Sequence, residues 1–267
     1  MTGKSCSAVN LKTLSMTVRL FLRVLLANCL IIILFNLLML LPEFKQFALA
    51  PAHRILTGIC LYLFQFVLTW YLLKEQRYWL TEPFKGNIFL KGFTAFAGAL
   101  LLTALFVHFL DPDRLFSIQD NNWQLYIQVF LLNSLPGALM EEWLFRYFPF
   151  RLALSQSLRL PSNVFFLLML LLFTLIHIPS FIFQYDAGLS SLGNIFVSGI
   201  FLFLIYFVTR NVVFTALFHA FCNNPQFLTE SALNWQYFYA SVFLITLLWP
   251  LIQNQMAKWR IKKEDLN

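Results

Sequence analysis

Two adjacent glutamates and an arginine, Glu141, Glu142 and Arg146, lie within the otherwise apolar stretch LPGALMEEWLFRYF at 135–148. A charge at bilayer depth costs at least ~2.5 kcal/mol and by default marks a working site. Glu142 and Arg146 are spaced to pair on one helix face, while Glu141 points about 100° away around the same axis. One carboxylate is held and the other is left available for acid–base chemistry. Two later segments carry polar groups at the same helical spacing: Phe173 and His177 in FFLLMLLLFTLIHIP, and His219 and Asn223 in FTALFHAFCNN. A lone intramembrane His is more often a hydrogen-bonded core residue, and a His–Asn pair is common glue between helices. Three segments carrying Glu, His and His plus Asn nevertheless lower their joint cost by converging on one polar cavity. Such a cavity is an active site or a transport site. His53 and His108 fall near segment ends and read as structural.

The elements that must position these groups are membrane helices. Of 267 residues, 60% are hydrophobic and 12% charged, against about 25% charged in soluble domains. The fold class expected is all-α, a polytopic bundle of about eight transmembrane helices forming one domain over 1–267, with a motif-bearing core at about 123–228. The apolar segments are 24–41, 55–73, 92–110, 123–148, 164–183, 192–208, 212–228 and 235–252. The first is too long for a signal peptide's apolar region. The seventh is interrupted by His219, Asn223, Asn224 and Pro225, and the proline is expected to break or kink it. No internal repeat or linker divides the chain. Cys6, Cys29, Cys60 and Cys222 lack metal-type spacing, and the last three, in apolar segments, read as small core residues.

The net charge of +7 is a topology signal rather than a nucleic-acid footprint. With the N-terminus in the cytoplasm, Lys45, Arg54 and Arg114 are the only ones of 19 Lys and Arg on the far side, which also holds Asp111, Asp113, Asp120, Asp186 and Glu230. That asymmetry supports eight crossings with both termini inside. The compact chain is expected in a bacterial inner membrane.

The residues resemble the CAAX protease and bacteriocin-processing family of intramembrane endopeptidases, also called Abi or CPBP. Its motifs EExxxR, FxxxH and HxxxN read here as Glu141-Glu142 to Arg146, Phe173 to His177 and His219 to Asn223, in order on successive apolar segments. Tyr147 departs from the glycine common after the family's arginine. The resemblance implies hydrolysis of a peptide bond in a membrane-associated protein or peptide, with the bilayer as the other partner and no nucleic acid. Glu141 is then the general base on water, His177 orients that water, and His219 and Asn223 donate to the oxyanion. Glu142, tied to Arg146, fixes the helix. No cofactor is expected under this scheme. The alternative is zinc on Glu141, His177 and His219, a ligand set used by zinc proteases. It lacks an HExxH motif and leaves only the paired Glu142 as a base. Two non-hydrolytic readings remain: a silent immunity or scaffold protein, which would be expected to have lost a motif residue, and a transporter, which would be expected to show repeated halves.

Overall fold

The computed structural model describes residues 11–110, 123–154, 161–184, 188, 191–223 and 232–264. Among them the protein is built from helices, with no strand: α1 (Leu11–Leu38), α2 (Pro42–Leu49), α3 (Pro51–Leu73), the single turn α4 (Tyr78–Thr81), α5 (Gly86–Leu110), α6 (Trp123–Val129), α7 (Leu135–Glu142), α8 (Phe148–Leu154), α9 (Ser162–Leu175), α10 (Ser191–Thr209), α11 (Val212–Asn223) and α12 (Ala232–Glu264). The far-side acids Asp111, Asp113, Asp120, Asp186 and Glu230, with Cys6, Arg114, Asn224 and Pro225, lie outside the described residues.

Among the described residues, six helical stretches are long and apolar enough to cross a membrane: Val18–Leu38, His53–Gln76, Gly86–Leu110, Ser162–Ile182, Ser191–Thr209 and Trp235–Gln253. The fourth and seventh of the eight expected segments are not among them. The fourth dilutes its apolar residues with Gln124, Gln128, Asn133, Ser134, Glu141 and Glu142. The seventh has only the 12 residues of α11. These two are the segments that carry the glutamates and His219, so the chemistry sits on the helices least suited to face lipid.

Prolines shape the glutamate helix. Pro136 and Pro149 lack the N–H that an α-helix would aim at the carbonyl four residues back, and their rings crowd that carbonyl. Just before each, the helix opens into a π turn, Phe130–Ser134 and Trp143–Tyr147. Leu135 N–H then reaches the carbonyl of Phe130 and Phe148 N–H that of Trp143, each five residues back. The helical run therefore continues through both prolines from α6 to α8. A wider turn of this kind inside an α-helix often accompanies a functional site.

Every residue of α11 from Val212 to Phe221 is buried, as a helix apolar on all sides must be. It packs on α5, α7 and α10. Arg210, in the left-handed region at φ 52°, makes the tight link from α10, and Asn211 caps α11 by accepting from Phe214 N–H at 3.0 Å. The same amide donates to the Ile88 carbonyl at 3.0 Å. Gly92 on α5 permits this contact, since a Cβ there would lie 2.5 Å from Asn211 Oδ1 and 2.8 Å from Phe214 N. Of the cysteines, Cys29 is buried as expected, but Cys60 is exposed on the outer face of α3 and Cys222 is only partly buried. An apolar segment has a lipid-facing side, and Cys60 occupies it.

Candidate active site

Glu141 and Glu142 end α7, and the π turn that follows carries Arg146. Glu142 is fully buried and its Oε1 accepts from Arg146 Nη1 at 2.9 Å, the pairing that the spacing implied. The same Oε1 accepts from Nδ1 of His219 at 2.8 Å. Glu142 thus joins the glutamate helix to α11, a link that nothing in the sequence pattern indicated. The Arg146 guanidinium sits over the Phe173 ring at 4.0 Å, so the phenylalanine of the second motif is a seat for the arginine. Its edge also meets His177, with centroids 4.7 Å apart.

His177 is presented by a break in its helix. Pro179 has no N–H to continue the ladder, α9 ends at Leu175, and His177 N–H goes to the Thr174 carbonyl at 3.2 Å. The Phe173 carbonyl is released from the helix and accepts from His177 Nδ1 at 2.6 Å. By straight-helix counting His177 lies deeper than Glu141; the turn at Ile176–His177 brings the two together.

With both Nδ1 atoms donating, each imidazole presents Nε2 to Glu141. Oε2 of Glu141 is 3.8 Å from Nε2 of His177 and 3.7 Å from Nε2 of His219. These separations are too long for direct hydrogen bonds, and Oε2 is buried without a partner. Glu141, His177, His219 and Asn223 all line one cavity of about 700 Å³. Asn223, at the last turn of α11, is its exposed member. His53, stacked on Phe47, is not part of it, and neither is His108. Tyr147 is nearly buried and donates its hydroxyl to Glu82 Oε2 at 3.0 Å, beside an Arg151 ion pair to the same oxygen. The larger side chain is accommodated by tying the turn after α4 to the glutamate helix.

Residues 122–224 match the family model of Rce1-like proteins, type II CAAX prenyl endopeptidase Rce1-like. These residues are similar to the CAAX protease and bacteriocin-processing family, the one that the three motifs resemble. The matched region runs from the start of α6 through α11 and contains all seven motif residues. Together with the apolar helices, this likeness supports a multi-pass membrane protein, and a protease family implies a peptide or protein as substrate. No curated protein and no solved structure matched the chain.

A zinc ion would need Glu141, His177 and His219 gathered as one ligand set. Among the described residues no group of three or more His, Cys, Asp and Glu is arranged to hold a metal. The oxygen-to-nitrogen distances of 3.7 and 3.8 Å exceed the ~3.4 Å between ligand atoms of a tetrahedral zinc with bonds near 2.1 Å.

The other wall of the cavity carries no motif residue. Asn28 and Asn36 from α1, and Thr57 and Gln65 from α3, line it. Both α1 and α3 had been read only as apolar spans. Buried amides in such spans are the signal that could have found them.

Proposed function

We propose that the protein is an intramembrane endopeptidase in which Glu141 activates water against a substrate peptide bond. The observation that carries this reading is the partnerless Oε2 of Glu141, facing two imidazole Nε2 atoms across gaps just under 4 Å inside a cavity. Three acceptors brought face to face repel unless a group bearing hydrogens is held among them. A water molecule answers that requirement. It donates one hydrogen to Glu141 and the other to His177, which orients its lone pair.

Glu141 takes a proton as the water oxygen attacks the carbonyl carbon, and the carbonyl oxygen becomes the oxyanion. Asn223 donates its amide to that oxygen. His219, its ring held at Nδ1 by Glu142, completes that hole with an Nε2–H, the proton being the one that Glu141 hands over and takes back across 3.7 Å. The carbon–nitrogen bond then breaks, the leaving amine takes the proton from Glu141, and Glu141 is again a carboxylate. Arg146 pairs with Glu142 and is itself held over the Phe173 ring. No step is routed through a metal.

The test uses the purified chain in liposomes with a library of lipid-anchored peptides, products being read by mass spectrometry. Glu141→Gln keeps shape but removes the proton acceptor, so turnover should fall by about 10²–10⁴-fold while the thermal midpoint stays near that of the unaltered protein. Exhaustive chelation should leave turnover unchanged. Loss on chelation with recovery in zinc would replace this mechanism by a metal one, and an undiminished cellular effect of Glu141→Gln would favour a scaffold.

A further inference from the structure

We infer that the cavity continues beyond Glu141 as a substrate groove that takes an extended peptide and ends at Arg54, which receives a substrate carboxylate. The inference rests on the hydrolytic reading above and adds to it what the substrate must carry. Along one wall, α3 runs parallel to the glutamate helix in matched turns. Gly58 lies against Asn133, a Cβ there falling 2.6 Å from its Nδ2, and Gly137 lies against Tyr62, with 2.5 Å to the hydroxyl. The next turn sets Gln65 level with Glu141. Asn133 also donates to the Arg54 carbonyl at 2.8 Å, which fixes the start of the groove against the same helix.

Arg54 lines the cavity, half-buried, and no acidic side chain among the described residues pairs with it. A cation on the wall of a cavity with no acidic partner attracts an anion, and guanidinium suits a carboxylate. Between Arg54 and the level of Glu141 stand acceptors without donors. Asn36, 2% exposed, commits Nδ2 to the Ile32 carbonyl at 2.9 Å, so its orientation is set and its Oδ1 is left without a partner, as is the Oγ1 of Thr57. Backbone N–H groups of an extended chain are the donors that such a wall lacks. From Arg54 to Gln65 α3 rises about 16 Å, the span of about five extended residues. The groove therefore places a carboxylate about five residues from the bond cut.

That carboxylate could be a chain terminus or an Asp or Glu side chain, and the experiment separates them. Lipid-anchored apolar peptides are made with one carboxylate at successive positions beyond the cut, either as the terminal acid or as an Asp in an amide-capped chain. In the unaltered protein a carboxylate about five residues away should lower KM at least ~10-fold, with kcat little changed, relative to the uncharged chain. Arg54→Gln should abolish the difference and Arg54→Lys should retain much of it. Preference for both forms assigns the site to charge alone; preference for the terminal acid only assigns it to a chain end. No preference in the unaltered protein, or an equal preference in Arg54→Gln, overturns the groove. Photocrosslinking of the same peptides to the Glu141→Gln protein repeats the comparison without turnover. Carboxylate preference in binding with no cleavage by the unaltered protein would sink the hydrolytic reading and leave the subsite; cleavage without preference would do the reverse.

Discussion

One oxygen of Glu142 receives both Arg146 and His219, and both the carboxylate and the guanidinium are essentially out of contact with solvent. Breaking such a pair leaves an uncompensated buried cation, which typically costs ~3–5 kcal/mol. Glu142→Gln should therefore lower the thermal midpoint of the purified protein sharply, and Glu142→Gln with Arg146→Met should recover part of the loss. A midpoint unmoved by Glu142→Gln would mean that the pair is dispensable. Asn223→Ala should behave in the opposite way: stability near normal, with kcat reduced about 10²-fold or more, as for loss of an oxyanion donor, and KM little changed. At this scale the i,i+4 spacing gave the Glu142–Arg146 pair, and the residue types singled out groups that line one cavity. They could not give the His219–Glu142 bond, which joins positions 77 apart, nor the tautomers, which depend on a carbonyl released by the break at Pro179.

The elements hold these side chains through close helix contacts and through prolines that reshape or end helices. Gly92 marks the tightest contact, because the atoms a Cβ would meet are the capping amide of Asn211, the backbone N of Phe214 and the Cβ of Val213, none of which can swing away. Gly92→Ala must push α11 off α5. The expected cost is about 1–3 kcal/mol, the usual range for overpacking, read as a lower thermal midpoint. Turnover should fall as well, since α11 carries both His219 and Asn223, whereas Gly86→Ala, where a Cβ meets nothing within 4 Å, should leave both unchanged. Pro136, Pro149 and Pro179 cannot donate to a helix ladder, but the sequence does not say how each helix responds. Two open π turns and one ends α9 at the point where His177 is needed, which depends on packing that can stabilise an irregular turn. The buried amides of α1 and α3 were visible in the sequence, yet an isolated Asn in an apolar span does not announce which partner it faces until those helices are set beside α7.

Across the whole molecule, charge asymmetry implies eight crossings, while length and hydropathy support only six. The two criteria measure different things. Hydropathy asks whether a helix can face lipid, and neither the glutamate helix nor α11 has to, because neighbouring helices surround much of the first and the second from Val212 to Phe221. The continuous run from α6 to α8, residues 123–154, is about 48 Å long at 1.5 Å per residue, enough for a ~30 Å hydrocarbon core, whereas α11 alone spans about 18 Å. The run from α6 to α8 can cross unaided; α11 crosses only if the chain beyond Asn223 completes the passage. Labelling can decide each crossing separately. In a background with the native cysteines replaced, single cysteines at Gln124 and Leu154 bracket α6 to α8, and single cysteines at Arg210 and Asn234 bracket α11. Membrane-impermeant maleimide applied to sealed, oriented vesicles should modify the two members of each pair from opposite faces, with Leu154 and Arg210 on the cytoplasmic side as the positive charge predicts. Same-face labelling of the first pair would remove the glutamate helix from the crossings and, with it, the placement of Glu141 in the membrane. Same-face labelling of Arg210 and Asn234 would make α11 a re-entrant helix that dips to the cavity and returns, and would place α12 in the reverse orientation.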